Sequence, residues 1–320
     1  MNFRLHVVLA SALACIACAI TAQAANYPDR PIKMIVPWAA GGDTDNIFRP
    51  FGQAYQKALG GVPVVIANIG GASGIVGARE SKSAPPDGYT LFAEHDFVHS
   101  TYYLGMSDFN YDAFEPICLI SSTPSILTAS PKTKWKTLKE LVDDAKARPD
   151  QITVGASLGS TSHFFPALFE KEAKLKFKYV SYDGLAQRMN AILGGHTDLT
   201  DGNLTQKGKV DAGQLRFLAI GTEKRSPELP NVPTFKELGY NVLYAVSRGL
   251  MAPKGTPADI VAKLDAACGQ ASKDPAFAAS MKVQGTDVRY LERKAFAAFL
   301  VQNDKLNKDI ARDLGLLKRP

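Results

Sequence analysis

Three glycine-containing segments in this chain of 320 residues each lie between a predicted strand and a predicted helix. They are residues 41–44, 70–74 and 159–162. Glycine lets a ligand approach the backbone closely, and a helix N-terminus presents free N–H groups with about half a positive charge. Such a terminus suits a carboxylate or a phosphate. Turn geometry alone explains any one of these segments, whereas the three together predict an anion-binding site.

The glycine segments do not match the known nucleotide-binding loops. The chain has no G-x-x-x-x-G-K-[ST] sequence, and residues 71–77 (GASGIVG) lack the G-x-G-x-x-G spacing of a dinucleotide site. We therefore expect no cofactor at these turns.

Ser157 lies in a G-x-S-x-G sequence at residues 155–159, between a predicted strand and a predicted helix. A serine hydrolase would also need an acid and a histidine further along the chain. After Ser157 the sequence contains only His163 and His196, and His196 comes too soon to cross a second half-sheet. An exported hydrolase that uses Ser157 is kept as an alternative function.

His95 and His99 stand four residues apart in HDFVH, which resembles H-E-x-x-H with aspartate in place of glutamate. On a helix, two such histidines could share a zinc ion, with the acid as base. The segment follows directly on a predicted strand and no third ligand is evident, so we expect no metal site. The histidines are expected to donate hydrogen bonds in a ligand cleft. Ordinary loop or core histidines are the alternative.

Alternating strands and helices must position these residues, and that alternation predicts βαβ units with parallel sheets. In a first set, strands are expected at residues 32–36, 62–67 and 89–93, and helices at 47–59, with Pro50 inside, and 75–81. In a second set, strands are expected at residues 152–155, 177–182, 197–200 and 215–220, and helices at 138–148, 162–173, 185–193 and 234–238. Residues 242–246 could return as a strand to the first set, before helices at about 257–273 and 293–314.

Residues 1–25 have the pattern of a signal peptide. Arg4 precedes an apolar run at residues 7–20, and Ala22, Gln23 and Ala24 form an A-x-A cleavage site. The run is shorter than the ~20 residues that a membrane span needs. We expect export, with cleavage near Ala24 or Ala25.

Length and composition indicate an ordinary globular protein with room for two domains, with 46% hydrophobic and 21% charged residues. The formal net charge of +6 first suggests a nucleic-acid partner. The lysines are scattered, however, and the densest run, at residues 132–139, comes with no nucleic-acid fold signature. We expect no nucleic-acid partner.

Two of the four cysteines lie in the predicted signal peptide, which leaves Cys118 and Cys268. In an oxidising compartment they could form one disulfide. Two buried thiols are equally compatible with the sequence, which does not give the distance between them.

Short motifs occur in a fixed order along nearly the whole mature chain. They are YPDRPI at 27–32, IVPWAAGGDTD at 35–45, NxxGASG at 68–74, DGYTL at 87–91, YDG at 182–184, LGGHTD at 193–198, VPTFKELG at 232–239 and APKGTP at 252–257. This ordered set resembles the Bug-type periplasmic solute receptors, which serve tripartite tricarboxylate transporters.

The resemblance implies a type II periplasmic-binding-protein fold, with two α/β lobes and a ligand cleft between them. One lobe would contain residues 26–125 and 248–320, and the other residues 126–247. It also implies a periplasmic receptor, not an enzyme, that captures an organic carboxylate by cleft closure. The expected partners are a small organic carboxylate and the permease subunits of the transporter, and the chain is expected to be a monomer.

The resemblance also implies a set of ligand-binding residues. The ligand loops of the family fall on residues 38–45 and 68–74 in the first lobe, and on residues 159–163 and 198–203 in the second. The residues expected at the site are Trp38, Ala40, Gly41, Gly42, Thr44, Asp45, Asn68, Gly71, Ala72, Ser73, Ser160, Thr161, Ser162, His163, Asp201 and Asn203, together with His95 and His99. In these receptors, loop amides and ordered waters hold one carboxylate of the ligand.

Arg248 is a departure from the family, whose members usually have an aromatic-x-Gly sequence where this chain has Ser247, Arg248 and Gly249. A guanidinium near the cleft could bind a second carboxylate through two hydrogen bonds. A charge on the hinge surface is the alternative. Asp45 is unfavourable inside an anion site, so it is expected to cap the helix, hold bridging waters or pair with a ligand ammonium group.

Aromatic side chains predict the size of the ligand. Trp38, Phe97 and Tyr102, with His95 or His99, are expected to line the cleft, and Pro50 to distort the first helix. These features favour a bulky or aromatic dicarboxylate, such as terephthalate, over a small four-carbon acid. A sensory co-receptor with the same site is the second alternative function.

Overall fold

Two β-sheets with helices packed on them form the part of the chain that is described, residues 27–319 of a computed structural model. The predicted signal peptide lies outside these residues. The strands are β1 Ile32–Val36, β2 Val64–Asn68, β3 Thr90–His95, β4 Phe114–Pro124, β5 Ile126–Ala129, β6 Thr153–Ala156, β7 Lys178–Ser181, β8 Leu199–Gly202, β9 Arg216–Ile220, β10 Ala245–Pro253 and β11 Asp287–Leu291. The α-helices are α1 Asp43–Ala58, α2 Ile75–Ser83, α3 Phe97–Tyr103, α4 Leu138–Ala147, α5 Thr161–Glu172, α6 Leu185–Gly194, α7 Lys207–Asp211, α8 Ala258–Ala271, α9 Pro275–Val283 and α10 Arg293–Asp313.

The two sheets define two lobes. The first lobe is built on a six-stranded sheet of order β11–β4–β10–β3–β1–β2, and the second on a five-stranded sheet of order β7–β6–β8–β5–β9. The predicted parallel βαβ units are confirmed in part: β1 pairs in parallel with β2 and β3, and β6 pairs in parallel with β7 and β8.

The remaining strand pairs correct the prediction of parallel sheets. β10 runs antiparallel to β3 and β4, β11 runs antiparallel to β4, and β5 runs antiparallel to β8 and β9. β4 leads into β5 through Ser125 alone, although the two strands belong to different sheets. The chain therefore passes between the lobes in extended strands, once through β4 and β5 and once into β10.

The helix predicted at residues 234–238 is wrong. Thr234 makes a strand-like bridge with Ile220, and the residues that follow make i→i+3 turn bonds, from Leu238 N–H to the Phe235 carbonyl and from Gly239 N–H to the Lys236 carbonyl. Pairing of Thr234 with the sheet edge leaves four residues before Gly239, about one helical turn, and i→i+3 bonds close this segment as turns. Helices α3, α7 and α9 and strands β4, β5 and β11 were not predicted, while α1 continues through Pro50.

Helix α10 connects the cores of both lobes. Phe296 and Leu300, near its beginning, pack in the core of the first lobe, and Ile310 and Ala311, near its end, pack in the core of the second. This helix therefore accompanies the two strand crossovers at the junction. Among the described residues, no helix combines the length and the apolar character needed to cross a bilayer.

A disulfide joins Cys118 in β4 to Cys268 in α8, which decides between the bridge and the two free thiols. Both residues are fully buried in the core of the first lobe. The bridge closes a loop with a sequence separation of 150 residues, and that loop contains the whole second lobe.

We expect the double substitution Cys118→Ser and Cys268→Ser to lower the free energy of unfolding by about 2–5 kcal/mol, because the unfolded chain loses a long cross-link. Urea unfolding of the mature protein measures the change. The double variant also provides the control, since reductant must not move its midpoint. A variant with the wild-type midpoint would contradict the stabilising role of the bridge.

Candidate functional site

A cavity of about 50 Å³ lies between the two lobes. Its walls come from the loop between β1 and α1, the ends of β3 and β8, the crossover from β4 to β5, the start of β10, and the N-terminal turns of α5 and α6. The predicted site residues that line it are Trp38, Gly42, Thr44, His95, Ser160, Thr161, Ser162, Asp201, Asn203 and Arg248. The predicted residues outside its lining are Ala40, Gly41, Asp45, Asn68, Gly71, Ala72, Ser73, His99 and His163.

Three helix N-termini converge on this cavity. Helix α1 contributes Thr44, helix α5 contributes Ser162, and helix α6 contributes Leu185 with its N-cap residue Gly184. The first-turn N–H groups of a helix have no partner within the helix, and the terminus carries about half a positive charge. The first and third glycine turns thus lie where an anion is expected, and α6 takes the place of the second turn.

The second glycine turn connects the lobes. Ala72 and Ser73 adopt positive φ values of 49° and 57°, and Ser73 Oγ donates a hydrogen bond of 2.8 Å to the carbonyl of Leu158 in the second lobe. Residues 70–74 therefore contact the loop before α5 at the edge of the cleft.

Asp45 and Asn68 hold the first loop in place. Asp45 Oδ2 accepts hydrogen bonds of 2.8 Å from Gly41 N–H and from Arg49 Nε, and Asp45 Oδ1 accepts one of 2.8 Å from Asn68 Nδ2. Burial pushes the pKa of Asp45 upward, but the bonds from Arg49, Gly41 and Asn68 together bring it below its ordinary value. Both carboxylate oxygens of Asp45 are therefore occupied, and Asp45 stabilises the loop that carries Trp38. The carbonyl of Trp38 also accepts a hydrogen bond of 3.1 Å from Asn68 Nδ2.

Arg248 is buried, with 2% of its surface exposed, which excludes the hinge-surface alternative. Its Nε donates to Thr44 Oγ1 at 3.1 Å and its Nη1 to Thr123 Oγ1 at 2.8 Å, while its Nη2 pairs with Asp43 Oδ2. The other oxygen of Asp43 accepts a hydrogen bond of 2.8 Å from Asn203 Nδ2 in the second lobe. The carboxylate that Arg248 binds in this structure is therefore that of Asp43, which also bridges the lobes.

Arg188 in α6 is a second buried guanidinium at the cavity, 5% exposed, and the sequence analysis did not identify it. Its Nη1 donates to Ser157 Oγ at 3.1 Å, its Nη2 lies 3.8 Å from Asp201 Oδ2, and its Nε has no hydrogen-bond partner. A signal was present, because Arg188 is spaced three residues after Leu185 and four before Ile192 on the apolar side of the helix.

Asp201 is buried beside Arg188, and burial raises the pKa of its carboxyl to about 7 although Arg188 acts in the opposite direction. Its Oδ1 has no hydrogen-bond partner. Asp43 lies in the predicted ligand loop but was not named as a site residue, and further lining residues that the sequence did not reveal include Thr123, Ser125, Asp183 and Gly184.

Ser157 is not placed as a nucleophile. Its hydroxyl donates to the carbonyl of Tyr182 at 2.8 Å, and its Oγ accepts from Gly184 N–H at 3.0 Å and from Arg188 Nη1. The nearby His163 accepts at Nδ1 from Gly159 N–H and packs edge-on against Tyr179, with ring centroids 4.6 Å apart. Burial lowers the pKa of His163 to about 4.

The histidines of the HDFVH segment have separate surroundings. His95 ends β3 and lines the cavity, and burial together with Arg248 and Arg188 lowers its pKa well below the ordinary value, so it is neutral. His99 lies in α3 and is fully buried, with Nδ1 3.0 Å from Asp304 Oδ1. Within residues 27–319, no group of three or more His, Cys, Asp or Glu side chains is arranged to hold a metal ion.

The predicted aromatic lining is present only in part. Trp38 and His95 line the cavity. Phe97 does not line it but lies in the core of the first lobe, where its ring packs against that of Trp38 with centroids 5.5 Å apart. Tyr102 packs with the core of the second lobe, and the Arg319 guanidinium lies 5.0 Å from its ring centroid. Because Phe97, Tyr102 and His99 do not line the cavity, the aromatic lining no longer supports a bulky ligand.

Comparisons with known proteins agree on one family. The family described as "Tripartite tricarboxylate transporter family receptor" matches residues 47–316. The chain is 34% identical over 302 residues to a UPF0065 protein in the gbd 5′ region of Cupriavidus necator, covering 93% of this chain and 91% of that protein.

Three solved structures are similar along nearly their whole length. The periplasmic binding protein BugD is 32% identical with a TM-score of 0.85, covering 92% of this chain and 100% of its own. MatC (Rpa3494) from Rhodopseudomonas palustris, with bound malate, is 27% identical with a TM-score of 0.82, covering 89% of this chain and 99% of its own. R. palustris Rpa4515, with adipate, is 27% identical with a TM-score of 0.85, covering 90% of this chain and 98% of its own.

We expect Asp43→Ala to lower the free energy of unfolding by about 3–5 kcal/mol, because it leaves the buried Arg248 guanidinium without its counter-charge. Urea unfolding measures the loss. Asp259→Ala, which removes an exposed acid from the first turn of α8, is the matched control and is expected to stay within about 0.5 kcal/mol of wild type. Adding Arg248→Met to Asp43→Ala should recover most of the stability. A single variant as stable as the control would contradict the role given to Asp43.

We expect Asp201 to make the unliganded protein less stable as the pH rises from about 4 to about 7. In this range the folded state keeps a proton on Asp201 that the unfolded state has released, so raising the pH favours unfolding. Asp201→Asn removes this contribution, and its slope should differ from that of wild type by up to about 1.4 kcal/mol per pH unit. Urea unfolding at several pH values measures both slopes. Asp96, whose pKa burial raises to about 6, contributes to both proteins and cancels in the difference. Identical slopes would contradict the assignment.

Proposed function

The chain belongs to the tripartite tricarboxylate transporter receptor family, and from this premise we propose that it binds a small acyclic organic dicarboxylate between its lobes and delivers it to a membrane permease. Members of this family are substrate-binding receptors of transporters and not enzymes, so the alternative of a hydrolase using Ser157 is wrong. Members are periplasmic binding proteins, and we propose export of this chain to the periplasm through its predicted signal peptide.

The convergence of three helix N-termini with the Arg188 guanidinium is the observation that carries this proposal. Helix α1 comes from the first lobe, and α5 and α6 come from the second. An anion in the cavity is attracted by all three termini, and a carboxylate can also accept from the free Nε of Arg188. A dicarboxylate can place one carboxylate near each lobe.

The size of the cavity supports an acyclic ligand. Its volume of about 50 Å³ is small, which favours a narrow ligand over a bulky one. The similar structures of MatC and Rpa4515 contain malate and adipate, which are both acyclic. We therefore propose an acyclic dicarboxylate in place of the aromatic one that the sequence favoured.

Cleft closure is proposed to couple ligand binding to transport. The lobes already touch through Ser73 with Leu158 and through Asn203 with Asp43. A ligand that contacts both lobes stabilises this closed arrangement relative to an open one, because its contacts with one lobe are lost on opening. The closed form is the state that a permease can distinguish from the empty receptor.

A thermal-shift screen tests the ligand class. We expect succinate, malate or related acyclic dicarboxylates to raise the melting temperature, since a ligand at 100 times its dissociation constant stabilises the fold by about 2.7 kcal/mol. Terephthalate and inorganic phosphate should give smaller shifts. Stabilisation by phosphate alone would reject the carboxylate proposal, and a larger shift with terephthalate would reject the acyclic one.

Arg188→Gln is expected to weaken dicarboxylate binding by about 10- to 100-fold, because it removes a charge-assisted hydrogen bond. Isothermal titration calorimetry measures the affinity. Arg148→Gln, which removes an exposed arginine from the second lobe, is the matched control and should bind like wild type. Equal affinities of the two variants would show that Arg188 does not contact the ligand.

A further inference from the structure

Four buried polar atoms in residues that line the cavity have no hydrogen-bond partner. Two are donors, Trp38 Nε1 and Arg188 Nε, and two are acceptors, Asp183 Oδ1 and Asp201 Oδ1. Burying a polar group without a partner costs free energy, so four such atoms at one cavity indicate groups that the ligand supplies. The donors and the acceptors require different groups.

The two donors are explained by the proposed function. A carboxylate oxygen accepts hydrogen bonds from an indole N–H and from a guanidinium. Above a pH of about 7, where Asp201 is ionised, the two acceptors are not explained by it, because a plain dicarboxylate has no donor to offer them and its charge would be repelled by Asp183 and Asp201. A ligand that satisfies all four atoms must carry a donor as well as carboxylates.

We propose that the ligand is a carboxylate that also carries a hydroxyl or an ammonium group, and that Asp201, assisted by Asp183, binds this donor and selects for it. This inference rests on the proposed function and narrows its ligand class. The chemistry shared by the two groups is an N–H or O–H donor beside a carboxylate, as in hydroxy acids and amino acids.

The surroundings of Asp201 favour it as the selecting residue. It is 7% exposed, and the nearest guanidinium atom, Arg188 Nη2, lies 3.8 Å from its Oδ2, which is longer than a hydrogen bond. Burial raises the pKa of Asp201 although the Arg188 charge and a hydrogen bond from Ser125 lower it, which agrees with a carboxylate that its partners satisfy only in part. A ligand donor would relieve this deficit, which gives the donor-bearing ligand an advantage over its plain analogue.

The other acids near the cleft are already engaged. Asp43 accepts from Arg248 with one oxygen and from Asn203 with the other, and both oxygens of Asp45 are occupied by Gly41, Arg49 and Asn68. The ammonium partner that the sequence suggested at Asp45 is therefore better assigned to Asp201.

Isothermal titration calorimetry at a pH of about 8, where Asp201 is ionised, with ligands of matched chain length tests this inference. The sets are succinate, malate and aspartate; glutarate, 2-hydroxyglutarate and glutamate; and tricarballylate with citrate. We expect at least one donor-bearing acid to bind at least about 10-fold more tightly than the plain acid of its set, because a site with buried polar groups rejects analogues that leave them unpaired. Preference for the hydroxy acid or for the amino acid identifies the donor.

The variants Asp201→Asn and Asp201→Ala should reduce this preference to about 3-fold or less, while the plain acid binds as tightly as to wild type or more tightly. Asp211→Asn, at an exposed acid of the second lobe, is the control and should keep the wild-type preference. Circular dichroism of each variant verifies folding.

Plain acids that bind as tightly as the donor-bearing acids of every set would overturn the inference and leave the proposed function in place. The same holds if both Asp201 variants are folded and keep the wild-type preference. If none of these acids binds, the proposed function fails, and the inference that rests on it fails too.

Discussion

The burial of Arg248 is the constraint on which the arrangement of the cleft depends. Its guanidinium lies in the interior of the protein, where a charge is tolerated only with a counter-charge and hydrogen-bond partners. Asp43 and Thr44 at the start of α1 and Thr123 in β4 supply them, so the N-terminus of α1 is fixed against the two strands that cross between the lobes. Because Asp43 also accepts from Asn203, neutralising this buried charge and bringing the lobes together involve the same carboxylate.

The positions of two of the three glycine turns followed from the sequence, because a βα unit places the helix N-terminus beyond the carboxyl end of its strand. Gly42 and Thr44 in one turn, and Ser160 in the other, line the cavity for that reason. The second turn obeys the same local rule, yet Ser73 contacts Leu158 outside the lining. Local pattern finds such turns, but the order and packing of the strands, which depend on contacts between distant residues, decide which turns meet at one cavity.

The dependence on contacts between distant residues also explains why the sequence did not predict strands β4 and β5 or the burial of Arg188. Strands β4 and β5 are buried along most of their length, so residues 114–129 show no alternation of apolar and polar side chains that would predict them. Arg188 was passed over because a charged residue on a helix is usually solvated, although its place on the apolar side of α6 argued otherwise. The burial of Arg188 is tolerated because Ser157, directly after β6, accepts a hydrogen bond from it and Asp201 in β8 lies close to it. These two partners come near Arg188 only in the folded sheet, so the sequence alone does not identify them.

Attraction and selection are carried by different groups in this cleft. The helix termini and Arg188 attract any small anion, and on their own they would not separate a plain dicarboxylate from a hydroxy acid or an amino acid. Asp183 and Asp201 add negative charge to an anion site, which lowers its attraction for carboxylates in general. Such a loss is compensated only by a ligand that brings a donor to these oxygens, so the acids convert a general anion site into a selective one. Because Asp201 belongs to the second lobe and Trp38 to the first, a ligand that satisfies both also needs the lobes closed. Selectivity and closure are therefore consequences of the same set of contacts.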